Sequence, residues 1–342
     1  MKLLSPTITQ AKDKIVESVL PVLWEQWQSI GVSTHVEQSL DYTIDPEALI
    51  LFSSEFARYD GRLFQEMLDW LHINGKSINI QRLLNIRKAY PLGNAQVMRS
   101  IAQILTEYSS SFNKWKKITT HKEFTTDFDT ATDKAKEPLF HSQSNLAIPV
   151  NIEDCEPSFL RYGLVTSAFE LRHHSKTPKS SSSPNLVFKL RSLFGCNSKA
   201  EILAWLLTHP SGHPAQIANE VHYFNKSVQD TLNQMSASGL VSSRRTEREK
   251  HFSLDHAHWN TFLTNDKTDW HHWAARFATV SIFTETLTNA IKMEASDILA
   301  ASMLQQKSQE KRFSQEFVNL SSTEPVNYLD TVLTFLEHTM KP

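Results

Sequence analysis

The chain has 342 residues, 40% of them apolar, only eight glycines and a net charge of −2. That length suits two or three domains at roughly 150 residues each. The composition favours a helix-rich globular protein over a disordered or all-β one. No run approaches the ~20 apolar residues of a membrane span, and the near-neutral charge means that any affinity for nucleic acid must arise locally.

The N-terminal Met1-Lys2-Leu3-Leu4-Ser5-Pro6 lacks the apolar stretch of a secretion signal, and Cys155 and Cys196 stand far apart, outside any metal-spaced cluster. The expected location is therefore the cytoplasm, with no membrane partner. Residues 1–118 read as an α-helical domain. Ile8, Ala11, Ile15 and Val19 mark a first helix, interrupted or kinked at Pro21. Asp45-Pro46-Glu47 is a helix start: a capping carboxylate, a first-turn proline and an acid at the positive helix end. Asp60 caps another helix, which Asn74-Gly75 ends. Ile80 to Ala89 and Asn94 to Tyr108 continue the series. Residues 119–184 read as a polar loop, a short helix and, from His173 to Pro184, a serine-rich flexible linker.

Residues 185–255 change character. An apolar lead at Leu186 to Leu190 precedes a helix with Ile202, Leu203, Leu206 and Leu207 at helical spacing. A loop, Pro210 to His213, leads to a short helix with Ile217, Ala218 and Val221. The turn His222-Tyr223-Phe224 opens a third helix with Val228, Leu232 and Met235 on one face, ended by Gly239. Two β-like runs, Leu240 to Arg245 and Lys250 to Leu254, then flank a charged tip. Between Arg172 and Asp255 eleven basic residues face six acidic ones, a local balance of +5 in an acidic chain. A positive surface is what phosphate contact requires, since counterion release supplies much of the affinity.

Residues 256–342 return to helix. Trp270, Trp273, Phe277, Val280, Leu287 and Ile291 fall near three-four spacing, a seam for the core or a dimer. Thr323-Glu324-Pro325 signals a last helix start, with Val326, Leu329, Val332, Leu333 and Leu336 following on one face. The expected fold is mainly α, with one small hairpin.

Three helices and a charged hairpin in that order resemble the winged-helix transcription regulators of the broad MarR and ArsR type. The resemblance covers about 70 residues and implies that Pro214 to Val221 is the second helix, capped at its successor by Asn225. It implies that the third helix enters the major groove of double-stranded DNA with Asn225, Lys226, Ser227, Gln229 and Asn233 outward. It also implies that Arg244, Arg245, Arg248 and Lys250 of the wing meet phosphates, and that a homodimer binds paired half-sites. His222 stands where many such turns carry glycine, no arginine lies on the reading face, and Asp230 there repels phosphate. A weaker resemblance, carried by Asp45-Pro46-Glu47-Ala48-Leu49, Asp60-Gly61-Arg62-Leu63, Leu68-Asp69-Trp70-Leu71 and Leu190 to Gly195, is to bacterial regulators that accompany nucleotidyltransferase-type toxins of abortive-infection systems. It implies an antitoxin-like or phage-defence role.

Enzyme chemistry finds little support. Asp127-Phe128-Asp129-Thr130-Ala131-Thr132 only loosely matches a phosphatase loop, with Ala131 at the threonine position and no apolar strand before it. The pairs His173-His174 and His271-His272 point to different faces, and His209 and His213 straddle Pro210, so no helical metal site is expected. No cofactor is expected and the chain does not read as an enzyme. The competing reading is an interaction scaffold whose winged helix holds a protein partner, such as a toxin, without DNA.

Overall fold

The computed structural model describes residues 7–32, 40–126, 136–141, 152–246, 249–260, 268–308 and 328–340. Helix boundaries follow the capping chemistry. In α1 (Ile8–Ser29) the Thr7 hydroxyl accepts from the Gln10 amide while the Gln10 side chain accepts from the Thr7 amide. Pro21 sits inside α1, which continues without a break. Asp45 caps α2 (Pro46–Phe56), Asp60 caps α3 (Gly61–Asn74), Asn79 caps α4 (Ile80–Ala89) and Asn94 caps α5 (Ala95–Tyr108). Each side-chain oxygen satisfies an amide that the first turn leaves without a partner.

A short α6 (Lys116–Thr120) follows, then β1 (Glu137–Pro138), α7 (Pro157–Leu160) and β2 (Leu164–Val165), with β1 and β2 paired in parallel. The Asp127 to Thr132 run lies outside the described residues. The central part comprises α8 (Leu186–Phe194), α9 (Ser198–Thr208), α10 (Pro214–Val221), α11 (Asn225–Ala237) and an antiparallel hairpin of β3 (Ser242–Thr246) and β4 (Glu249–Ser253). Next come α12 (His256–Asn260), α13 (Trp273–Lys292), α14 (Asp297–Ser308) and α15 (Tyr328–Met340). The fold is mainly α.

Two apolar cores organise these elements. The larger joins α1 to α5 with α13, α14 and α15, so the C-terminal helices complete the N-terminal body rather than forming a region of their own. At its centre lies α2, whose consecutive Leu49, Ile50, Leu51 and Phe52 are all buried. A helix apolar all round must be enclosed, and here the Phe52 ring stacks on Phe277 of α13 at 4.2 Å. The smaller core lies in the central module and gathers Leu190, Ile202, Leu203, Trp205, Leu206, Ile217, Val221, Val228, Leu232 and Phe252, among others.

The tryptophans read as one seam divide between the cores. Trp273 is buried in the body, its indole N–H donating to the Thr43 carbonyl at 3.0 Å. Trp270 precedes α13 and packs on the module core. The stretch expected as a linker is strapped down as well. Asp69 accepts from the amides of His173 and Ser175, the Lys176 amide donates to the Gly31 carbonyl at 2.7 Å, and Asn74 donates to the Lys176 carbonyl. The Thr323 start signal lies outside the described residues, and α15 buries Leu329, Val332, Leu333 and Leu336. No described helix is long and apolar enough to cross a membrane.

Candidate nucleic-acid interface

The module is built from local signals. The apolar lead forms α8, a helix with Leu186, Val187 and Leu190 inward. Asn197 caps α9, and His213 caps α10 by accepting the Ala215 amide at 3.2 Å, with Pro214 at the first helical position. His222 adopts φ 58° and ψ 45°, the left-handed conformation that the turn requires. At the other end of α11, Gly239 takes φ 77°, and the Leu240 amide returns to the Met235 carbonyl to close the helix.

A correction concerns Asn225. It is the first residue of α11, Phe224 holds the capping position, and no side chain caps the helix. A phenylalanine side chain has no oxygen to offer, so the first amides of α11 keep their donor capacity.

The hairpin register pairs Ser243 with Phe252, Arg244 with His251 and Arg245 with Lys250. Phe252 is buried in the module core and its backbone exchanges two 2.9 Å hydrogen bonds with Gly212, tying the hairpin to the loop before α10. Gly212 is required there because an added Cβ would lie 2.4 Å from the Trp205 ring. Strand side chains alternate between faces. Arg245 and Lys250 therefore share the face of Ser243 and Phe252, turned toward α11, and Arg244 and His251 share the opposite one. Two contacts fix that orientation: Lys250 Nζ donates to Asn233 Oδ1 at 2.9 Å, and the Ser236 and Ser243 hydroxyls meet at 3.3 Å. The expected wing arginines are thus neighbours in sequence on opposite faces.

On α11, Val228, Thr231, Leu232 and Met235 are buried while Asn225, Lys226, Ser227, Gln229, Asp230, Asn233 and Gln234 are exposed. Arg244, Arg245 and Lys250 are exposed too, and Arg248 lies outside the described residues. Asn225, Lys226 and Gln229 make no side-chain hydrogen bond among the described residues. The structure brings Asn233 and Lys250 together and leaves the rest of the polar face open to solvent. Like charges directly across strands repel, so Arg245 opposite Lys250 leaves a cationic spot suited to an anion.

The module is held by a junction that sequence reasoning missed. One face of α4 grips the turn: Asn79 donates to the Tyr223 hydroxyl at 2.6 Å, Arg82 Nε to the Val221 carbonyl at 3.0 Å, and Asn85 to the His222 carbonyl at 2.9 Å. Behind it, Arg82 binds both oxygens of Asp45 at 2.6 Å and Glu47 at 2.7 Å. Arg191 of α8 binds both oxygens of Glu47, at 2.8 and 2.7 Å, and pairs with Glu201. All five side chains are buried.

Burial raises carboxylate pKa values, yet the charges and hydrogen bonds of Arg82 and Arg191 outweigh it and hold Asp45 and Glu47 low. At Glu201 burial wins over the same arginines and its carboxyl is pushed up. Arg191, counted among the surface cations, is thus internal. Since Glu201 is internal with it, the +5 balance of the remaining segment is unchanged.

His222 leaves the module and stacks on His272 at 5.3 Å, with Tyr90 edge-on to both rings. Burial, with the nearby Arg82 charge, holds the His222 imidazole well below its ordinary pKa, and burial does the same for His272. His209 stacks on Trp205 at 3.8 Å. Residues behind the weaker resemblance have structural roles: Asp45, Glu47 and Arg191 form the network, Asp60 accepts from Trp24, and Trp70 donates to the Ile30 carbonyl.

The signal for the junction was present but doubly used. Asp45 and Glu47 read as helix-start residues and are, and only the fold adds their second duty. No protein-family model, curated protein or solved structure matches the chain.

Proposed function

We propose that the protein is a sequence-specific DNA-binding regulator in which residues 186–254 act as a winged helix-turn-helix. In this reading α10 and α11 are the two helices of the motif, α11 lies in the major groove and the hairpin of β3 and β4 is the wing. The observation that carries the reading is the open polar face of α11 beside exposed Arg245 and Lys250. Asparagine, glutamine and lysine are the side chains that meet base edges, and wing cations neutralise backbone phosphates. The uncapped N-terminus of α11 adds amides and a positive helix end for a phosphate. Action as a homodimer on two half-sites about one DNA turn apart follows from the symmetry such operators share, and an antitoxin-like or defence setting is the biological context we favour.

The test is a fluorescence-anisotropy titration of duplexes selected from a randomised pool, repeated over a range of salt. Lys226→Ala and Gln229→Ala are expected to weaken the selected duplex more than a scrambled one. Arg245→Ala with Lys250→Ala is expected to weaken both alike and to lower the salt slope by roughly two. An unaltered salt slope in that double variant would remove the wing from the interface, and absence of any duplex binding would end the proposal.

A further inference from the structure

Resting on the reading just given, we infer that the operator half-site is a run of A·T pairs, read at adenine edges by Asn225 and Gln229 and at thymine methyl groups by Phe224. Three features of α11 converge on this. The first is what it lacks. Between Asn225 and Ala237 there is no arginine, the side chain that most often reads guanine through its O6 and N7, and Lys226 is the single cation. Second, Asn225, Gln229 and Asn233 follow one another at intervals of four, which places three amides on one row of the helix. An amide can accept from adenine N6 and donate to N7 at once, a pairing no other base offers in the major groove.

The hairpin divides that row. Lys250 occupies the Asn233 carbonyl oxygen, so the free amides are Asn225 and Gln229, in the N-terminal half of the helix. Recognition helices approach base edges with that end. Four residues of helix rise about 6 Å, and base pairs stack about 3.4 Å apart, so the two amides span about two steps. Asp230, the acid of the exposed face, lies with Lys226 and Gln234 on the neighbouring row.

The third feature is Phe224. It immediately precedes α11 and is 66% exposed, whereas Tyr223 beside it is tied to Asn79. The apolar group that DNA displays in the major groove is the thymine methyl. An exposed phenyl ring at the leading end of a groove-reading helix meets it without leaving a polar base edge unpaired.

The experiment uses the full chain and duplexes selected from a randomised pool. Two base changes then separate the contacts: deoxyuridine for thymidine removes only the methyl, and 7-deazaadenine removes only the N7 acceptor. The selected half-site is expected to hold consecutive A·T pairs. Deoxyuridine should lower affinity about threefold for the unaltered protein and leave Phe224→Ala unaffected. The 7-deaza base, placed only at the adenine that faces Gln229, should lower it on the order of tenfold, with little further effect in Gln229→Ala. Both positions are exposed, so circular dichroism and melting should match the unaltered protein. A G·C consensus, or indifference to both base changes, overturns the inference while leaving DNA binding intact. Salt-sensitive binding with no preferred sequence also overturns it, and failure to bind any duplex removes the reading beneath it.

Discussion

The junction behind α10 and α11 and the outer face of α11 are both rich in polar side chains, and they use them in opposite ways. At the junction Asp45, Glu47, Arg82, Arg191 and Glu201 are buried and bonded to one another. On α11 most of the polar side chains stand in solvent, with Asn233 and Ser236 bonded to the hairpin. A buried charge without a partner is expensive, so the junction had to be satisfied internally. An exposed polar row carries no such demand and can be kept for a partner outside the chain. Position in the fold, more than residue type, separates the group that holds the module from the group proposed to meet DNA.

The sharpest way to break this contrast is to empty the junction. Arg191→Ala leaves Glu47 and Glu201 short of a cation in a buried site and is expected to lower stability by about 3–5 kcal/mol in urea denaturation. A change below 1 kcal/mol would mean that the network is not what docks the module. Packing inside the module comes next. Gly212→Ala forces a methyl group against Trp205 and should destabilise by about 1–3 kcal/mol, seen as a lowered melting temperature.

The stacked imidazoles predict a smaller, pH-dependent effect. His222 faces His272, Tyr90, Arg82 and Glu47, and His272 faces Glu220, Asp45, Arg82 and Arg276. Both titrate below their ordinary value in the folded chain, so the unfolded chain takes up protons first as pH falls through about 6.5. Their contribution to stability is complete above that pH and declines below it. In a series of melting curves from pH 7.5 to 5, His222→Asn with His272→Gln is expected to flatten the acid side, because asparagine tolerates the left-handed backbone and neither substitute titrates. An unchanged acid slope would exclude the pair as its source.

The smallest effect on stability belongs to the face proposed for DNA. Lys226→Ala, Gln229→Ala and Arg245→Ala should each stay within about 0.5 kcal/mol of the unaltered protein in denaturation, since these side chains have no hydrogen-bond or ion-pair partner among the described residues. Their effect belongs in the binding titration. A larger loss of stability at Gln229 would show that its amide serves the fold instead.

Much of this was legible in the residues. The caps at Asp45 and Asp60, the helix with Val228, Leu232 and Met235 inward, the left-handed His222 and the stop at Gly239 are local matters, fixed by hydrogen bonds and sterics within a few positions. Local chemistry misled where one residue could serve two masters: Asn225 has the right side chain for a cap, yet the turn places Phe224 there. Arg244 and Arg245 read as one cationic pair until strand alternation sent them to opposite faces.

The sequence by itself determined that the chain is mainly helical, where several of the helices begin and end, and which face of those helices is apolar. Only the tertiary structure decided that α13 to α15 close the core opened by α1 to α5, that the 173–184 stretch is strapped to the body, and that Trp270 and Trp273 serve different cores. It alone decided that Arg82 and Arg191 are internal. Periodicity reports which side of an element avoids water, but not which distant surface covers it. A buried ion pair depends on groups more than a hundred residues apart, such as Glu47 and Arg191. Their meeting depends on how whole helices pack, and that information is not contained in any local window.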